Sequence, residues 1–375
     1  MGRSEAPRLF FAPGRVNLFG AHLDYNGGPV MPTAIDRGTF FAVRRRSDSR
    51  VVIASTLSDD DLEVDLRDLP DSKRERWYDY ALGVLLEVVH QAGSGHAGLD
   101  VLLGGNLAIG AGLSSSASIC VGTALMLDSV WDLGLGGMQH VEIALRAERE
   151  FVGVQCGIMD PFAVGLAKPQ HILWLDCKDR SWEHLPLDFS RVSIGVADTG
   201  VRRKLAQGEF NTRVAQCKAA FDGLKAGDPS AECMRDISIE HFESQRGNLD
   251  SKVALRAEHV VYEVRRAFDA RAALERGDLE AMGASMTRTH ESLRDMYEVS
   301  CLELDELVDA AVDGEGVYGA RLTGAGFGGC IVMLIQCGAE ETVRQRVSSR
   351  FEARFGRVPA IEIYGGDNGP REVNI

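Results

Sequence analysis

The stretch that most constrains this chain is Gly110-Ala111-Gly112-Leu113-Ser114-Ser115-Ser116-Ala117, set between a strand-like run at 99–103 and a helix-like run from 118 to about 131. Two glycines and three serines make a loop of unobstructed backbone N–H groups and hydroxyls at the opening of a helix, where aligned peptide dipoles favour an anion. Such a loop fits a phosphate cradle. It also fits a serine N-cap with a flexible lead-in, and only the rest of the chain separates the two.

A chain of 375 residues, 45% hydrophobic and 26% charged, is long enough for two cores. The polar, proline-containing link at 186–192, between strand-like runs at 171–176 and 193–198, divides it into domains of 1–190 and 191–375. A net charge of −14 argues against a nucleic-acid backbone or an anionic membrane as the main partner, so an anionic substrate needs local basic residues. The eight cysteines form no CxxC pair and sit mostly in apolar runs, which fits reduced core residues in a cytoplasmic protein. No basic n-region with an apolar h-region opens the sequence and no stretch of about 18 apolar residues occurs, so neither export nor membrane spanning is expected.

Along the chain, strand-like segments 8–15 and 16–20 break at Pro13-Gly14, and a polar turn follows with His22, Asp24, Tyr25 and Asn26 beside Arg15. Segments 29–35, 39–45, 51–55 and 62–66 are β-rich, with Asp59-Asp60-Asp61 as an exposed turn. Helical periodicity marks 77–91 and 138–152; in the second, Glu142, Arg146, Glu148, Arg149 and Glu150 form the expected solvated face. Asp160, before Pro161, has the position of an ordinary capping carboxylate. The second half is helix-rich (209–224, 251–276, 279–297, 301–313) and closes with a glycine-rich stretch at 319–329, a strand at 330–336, a helix at 339–355 and a strand at 360–364.

Two nucleotide signatures fail. The chain has no Gly-Lys dipeptide, which excludes a P-loop. Residues 324–329 match GxGxxG but run into the strand-like CIVMLI instead of a helix, so a tight glycine turn between strands is expected there.

In chain order, PGRVNLFGAHLDYNGG (13–28), GAGLSSSA (110–117), CGIMD (156–160) and LTGAGFGGC (322–330) together resemble the galactokinase branch of the GHMP small-molecule kinases. The resemblance extends to 201–217 and 292–308 and covers nearly the whole chain. It implies an α/β (α+β), two-domain GHMP kinase fold, the amino-terminal domain resembling ribosomal protein S5 domain 2 and the carboxy-terminal domain ferredoxin-like. It implies ATP-dependent phosphorylation of the C1 hydroxyl of a galactose-configured sugar, with Gly110, Gly112, Leu113, Ser114, Ser115 and Ser116 at the ATP phosphates and Mg²⁺ held by Ser116 and Glu148. Asp160 matches the carboxylate beside the anomeric hydroxyl and Arg15 the arginine paired with it. Ala21, His22, Asp24, Gly157 and Phe210 fall at sugar-facing positions, and the glycine turn lies near the sugar and phosphates. A monomer or weak homo-oligomer acting on ATP and a monosaccharide, with no nucleic-acid or membrane partner, is expected.

The departures bear on the sugar. Where galactokinases read GEHTDYNGG, this chain reads GAHLDYNGG: Ala21 replaces a glutamate that hydrogen-bonds the C6 hydroxyl, Leu23 replaces a threonine, and Phe210 replaces a common tyrosine. A carboxylate near C6 repels a uronate, and its removal admits one. GAHxD also resembles the plant galacturonokinase motif, and Arg203 and Lys204 could supply countercharge. The sequence therefore predicts D-galacturonate as substrate, with D-galactose as the alternative and a pentose such as arabinose third. The intact Arg15, Ser116, Ala117, Glu148 and Asp160 argue against a non-catalytic sensor.

Overall fold

The computed structural model describes residues 6–107, 112–154, 156–202 and 206–374. Strand β1 (Arg8–Asn17) passes through Pro13-Gly14 without ending, because a bulge absorbs the residue that has no N–H for the ladder. It is followed by β2 (Pro29–Val30), β3 (Pro32–Arg45), β4 (Arg50–Ser55), β5 (Ser58–Asp65), α1 (Asp79–Ala92), β6 (Leu99–Gly105), α2 (Ser115–Trp131) and α3 (Gly137–Arg146). A π-helical turn at Ala147–Val152 continues α3, and α4 (Met159–Gly165), β7 (His171–Asp176) and β8 (Trp182–Pro186) complete the first half. The second half comprises β9 (Val192–Asp198), α5 (Ala206–Lys225), α6 (Ile239–Gln245), α7 (Ser251–Glu275), α8 (Leu279–Asp295), α9 (Leu302–Val312), β10 (Val317–Thr323), β11 (Cys330–Gln336), α10 (Glu340–Phe355), β12 (Ala360–Tyr364) and β13 (Arg371–Val373).

Apolar alternation on β1, β3 and β6 buries Phe10, Phe41, Val43, Val101 and Leu103 against Leu82, Leu85, Val121, Ala124 and Ile143 of α1, α2 and α3. The sheet beneath those helices runs β13-β1-β3-β6-β4-β5. In the second half the sheet order is β10-β11-β9-β12, all antiparallel, with helices between β9 and β10 and α10 between β11 and β12. That is the split βαββαβ arrangement of a ferredoxin-like unit. The expected two-domain fold is therefore present. A third core, in which Val16, Leu18 and Met31 pack with Ile194, Met286 and Val332, ties the two halves together.

The link at 186–192 lies between β8 and β9, strands of different sheets. The last strand, β13, crosses that division and pairs with β1. Three local expectations change. Asp59, Asp60 and Asp61 form no turn; they sit exposed on β5, the edge of its sheet, where charge discourages pairing with another chain. Helix α2 starts at Ser115, a turn earlier than the apolar pattern indicates, because short polar side chains open helices without contributing to periodicity. Glu148 is not solvated: it is 2% exposed, and the π-helical turn that contains it breaks the 3.6-residue register on which a solvated face was drawn.

Candidate active site

Arg15, near the end of β1 and 6% exposed, faces the first turn of α4. Its Nε donates to Asp160 Oδ1 and its Nη2 to Asp160 Oδ2, both at 2.8 Å, a bidentate charge-assisted pair. The remaining nitrogen, Nη1, donates to Gly112 O at 2.5 Å, while the Arg15 main-chain N–H donates to Leu113 O at 3.1 Å. One residue thus fixes both Asp160 and the end of the serine loop. Ser114, the N-cap of α2, adopts a left-handed conformation (φ 58°, ψ 50°), makes no cap, and donates its hydroxyl to Asp160 Oδ2. Among the described residues the helix start has no side-chain cap, which leaves its first amides available to an anion.

Beside this pair lies a pocket of about 160 Å³ lined by residues that include Arg15, Asn17, Ala21, His22, Asp24, Gly157, Asp160, Phe210, Arg321 and Thr323. Three buried polar atoms at its wall, Asn17 Oδ1, His22 Nε2 and Thr323 Oγ1, have no hydrogen-bond partner among the described residues. Buried polar groups rarely stay unpaired, so this wall suits a ligand rich in hydroxyls. Burial, then His259 and two guanidiniums, pull the His22 pKa down to about 3, which leaves a neutral ring whose Nδ1 meets Tyr25 Oη at 2.9 Å. Desolvation, reinforced by the charge of Asp160, raises the Asp24 carboxyl to about 6. Gly157 packs so closely that a Cβ there would lie 1.8 Å from Asp24 Oδ2. Across the pocket mouth the glycine turn joins β10 to β11 as an antiparallel connection, and Gly324 approaches Gly112.

Glu148, on the π-helical turn, has a buried Oε1 with no hydrogen-bond partner among the described residues, while Oε2 accepts from Cys156 Sγ at 3.3 Å. Burial raises its pKa, and a hydrogen bond from Ser116 opposes the rise. Two hard oxygen donors, one of them unsatisfied, fit Mg²⁺, which takes few protein ligands and fills its shell with water and phosphate oxygens. On the far side of Ser115 and Ser116 opens a larger cleft of about 420 Å³, walled by Leu57, Trp77, Tyr80, Leu103, Leu107 and Ile119. Its aromatic and apolar walls beside a helix start match a nucleotide base next to its phosphates.

Three family models match the chain: the galactokinase galactose-binding signature at residues 1–45, the GHMP kinases N terminal domain at 79–168 and the GHMP kinases C terminal at 270–353. The galactokinase of Bacillus subtilis (strain 168) is 38% identical over 375 residues, covering 99% of this chain and 96% of that one. This chain belongs to the galactokinase family. The galactokinase of Roseiflexus sp. (strain RS-1) is 40% identical over 359 residues, covering 96% and 91%. The crystal structure of Lactococcus lactis galactokinase complexed with galactose matches with a TM-score of 0.93 at 31% identity, over 100% of this chain and 97% of that one. The chain is accordingly a galactokinase-type sugar kinase, a 1-phosphotransferase. Among the described residues no helix is long and apolar enough to cross a membrane.

Of the residues singled out in this galactokinase-family sequence, Arg15, Ala21, His22, Asp24, Gly157, Asp160 and Phe210 line one pocket, and Ser115 and Ser116 line the neighbouring cleft. Ser114 touches Asp160 and Ser116 touches Glu148. Gly110 lies outside the described residues, as do Arg203 and Lys204. Asn17 and Thr323 lie inside the motifs that carry the resemblance but were given no role there, while Arg321, Trp77 and Tyr80 read as ordinary strand or core residues.

Gly157→Ala should cut kcat/KM for the sugar by roughly a hundredfold through displacement of Asp24, with nucleotide affinity unchanged in calorimetry. Because the Asp24 carboxyl ionises near pH 6, kcat/KM should fall as pH drops through that value and level off above it. A profile that stays flat down to about pH 5 would remove Asp24 from the titrating groups.

Proposed function

We propose that this chain transfers the γ-phosphoryl group of ATP to the anomeric hydroxyl of D-galactose, yielding galactose 1-phosphate and ADP. The observation that carries the choice of sugar is that both guanidiniums lining the sugar pocket are already engaged. Arg15 is held by Asp160 and Gly112 O. Arg321, 1% exposed, donates to the main-chain oxygens of Asn17, Leu18 and Leu322. Asp24 and Asp160 line the same pocket, so a uronate would add a third carboxylate where no described cation is free to meet it. The galacturonate expectation rested on Ala21, on the GAHxD likeness and on Arg203 and Lys204, which lie outside the described residues, and draws no support from the relatives, whereas galactose is neutral and needs no countercharge.

In this reading Asp160 takes the hydrogen bond of the C1 hydroxyl and aims its oxygen at the incoming phosphorus, while Arg15 and the Ser114 hydroxyl hold the carboxylate in place. The sugar O1–P bond forms as the bond between the γ-phosphorus and its bridging oxygen breaks, the hydroxyl proton passes to Asp160, and ADP leaves. His22, neutral, and Asp24 meet the ring hydroxyls. The amide groups at the start of α2 and the hydroxyls of Ser115 and Ser116 receive the phosphates, and the base sits in the cleft of Trp77 and Tyr80. Mg²⁺, held by Ser116 and Glu148, would offset phosphate charge. The lobes divide near residue 190, with the last strand returning to the first lobe. Eight unpaired cysteines suit a reducing cytoplasm.

A panel of sugars with ATP tests the reading: galactose should exceed galacturonate in kcat/KM by at least about a hundredfold, since an unpaired buried charge costs several kcal/mol. Faster turnover of galacturonate would reverse the assignment. Asp160→Asn should retain ATP affinity and lose turnover by roughly three orders of magnitude or more.

A further inference from the structure

We propose that Glu263 is a positioning residue for sugar recognition, acting through the main chain of Gly20 and Ala21. The proposal rests on the reading of the 160 Å³ pocket as the sugar site. Glu263 lies on α7, is 0% exposed and never touches the pocket. Its Oε1 accepts from the N–H groups of Gly20 at 3.1 Å and Ala21 at 3.3 Å. Its Oε2 accepts from Arg266 Nε at 2.7 Å and from Thr289 Oγ1 at 2.9 Å.

Main-chain bonds such as Leu18 N–H to Met31 O and Leu23 N–H to Gly20 O shape the segment, but the N–H groups of Gly20 and Ala21 themselves go to Glu263. Strand β1 has ended at Asn17, and between there and β2 the chain includes three residues with left-handed φ, Gly20 (80°), His22 (60°) and Gly27 (75°). Any side chain at position 20 would meet Pro29 O at 2.2 Å, so the path is cramped as well as irregular. The buried N–H groups of this segment need acceptors, and one carboxylate oxygen supplies both.

Four residues earlier on α7, on the same helix face, His259 completes the grip. Burial lowers its pKa to about 3, so the ring is neutral; Nε2 lies 3.2 Å from Ala21 O and Nδ1 lies 2.9 Å from Ser292 Oγ. With Nε2 protonated, the ring donates to Ala21 O and accepts from Ser292. The N–H of Gly20 and both main-chain polar groups of Ala21 are thereby fixed by two side chains from the other half of the molecule. The next residues in the chain are His22 and Asp24, whose side chains line the pocket. An apolar contact could glue α7 to this loop at lower desolvation cost, but it would not set the loop's rotation; a carboxylate shared by two successive N–H groups does.

The purified full-length chain tests this with Glu263→Ala and Glu263→Gln, using the sugar that the unaltered protein phosphorylates fastest in the panel. Failure of galactose in the unaltered protein would therefore overturn the substrate reading and leave this test intact. Glu263→Ala should raise the sugar KM roughly ten- to a hundredfold. Affinity for a non-hydrolysable ATP analogue, measured by calorimetry, should stay within about twofold, because the nucleotide cleft shares no partner with Glu263. Glu263→Gln keeps an oxygen for the two N–H groups but sets its NH2 against the Arg266 Nε–H donor, so its sugar KM should fall between those of the unaltered protein and the alanine variant. A sugar KM unchanged in the alanine variant, or a parallel loss of nucleotide affinity, would overturn the proposal. If the alanine variant does not fold, Glu263→Asp decides, because its carboxylate is one methylene short of the Gly20 and Ala21 N–H groups: a selective rise of about threefold or more in sugar KM supports the proposal, and no rise overturns it.

Discussion

The fork of Arg15 is the contact on which the rest of the site depends. Its three side-chain nitrogens reach α4 through Asp160 and the serine loop through Gly112 O, and its own N–H reaches Leu113 O. A residue on the second strand of a six-stranded sheet thereby sets the distance between the carboxylate proposed to face the sugar and the loop proposed to face the phosphates. Removing either member of a partly buried bidentate pair strands a charge at a cost of about 3–5 kcal/mol. The geometry is rigid because breaking it is expensive.

The same logic governs the layer behind the pocket. An acidic chain, net −14, places Asp24, Asp160 and Glu263 within a small volume and counters them with Arg15, Arg266 and Arg321. Arg321 is so thoroughly desolvated that its pKa falls to about 10, with the charge of Glu263 opposing the fall. Its three bonded main-chain oxygens belong to β1, to the residue just after it and to β10, so it joins the two halves at the pocket wall. Buried charge here does the work of an interface: it holds two lobes in one relative orientation, which apolar contact alone would leave freer to slide.

Legibility in the sequence followed the kind of signal each element carried. The runs at 171–176, 330–336 and 360–364 became β7, β11 and β12 with the same bounds, since short segments dominated by apolar and β-branched residues have few alternatives. Strand β10 stayed hidden because Gly319 and Arg321 break its apolar pattern, and β8 because Glu183 and His184 do the same. Glu148 was misplaced by a π-helical turn, which no 3.6-residue pattern can register. The partnership of Arg15 with Asp160 spans 145 residues and was available only through the family resemblance. Asn17 and Thr323 sit in motifs of that resemblance without a role, and Glu263 outside them, because what distinguishes all three is an unpaired atom or a long-range bond that exists only after folding.

Position 21 shows why a single departure from a family pattern reads poorly by itself. Losing a glutamate removes repulsion toward a uronate, but affinity requires a cation to replace the hydration of the new charge, and repulsion removed is not attraction supplied. The methyl group of Ala21 is 4% exposed, and the main-chain groups around it are already committed to Glu263 and His259. The loop therefore keeps its course whatever side chain stands there, while among the described residues the guanidiniums of the pocket wall, Arg15 and Arg321, are bound elsewhere. On the proposed reading, the charge balance of the whole wall selects a neutral sugar, and the substitution at position 21 only removes one of its contacts.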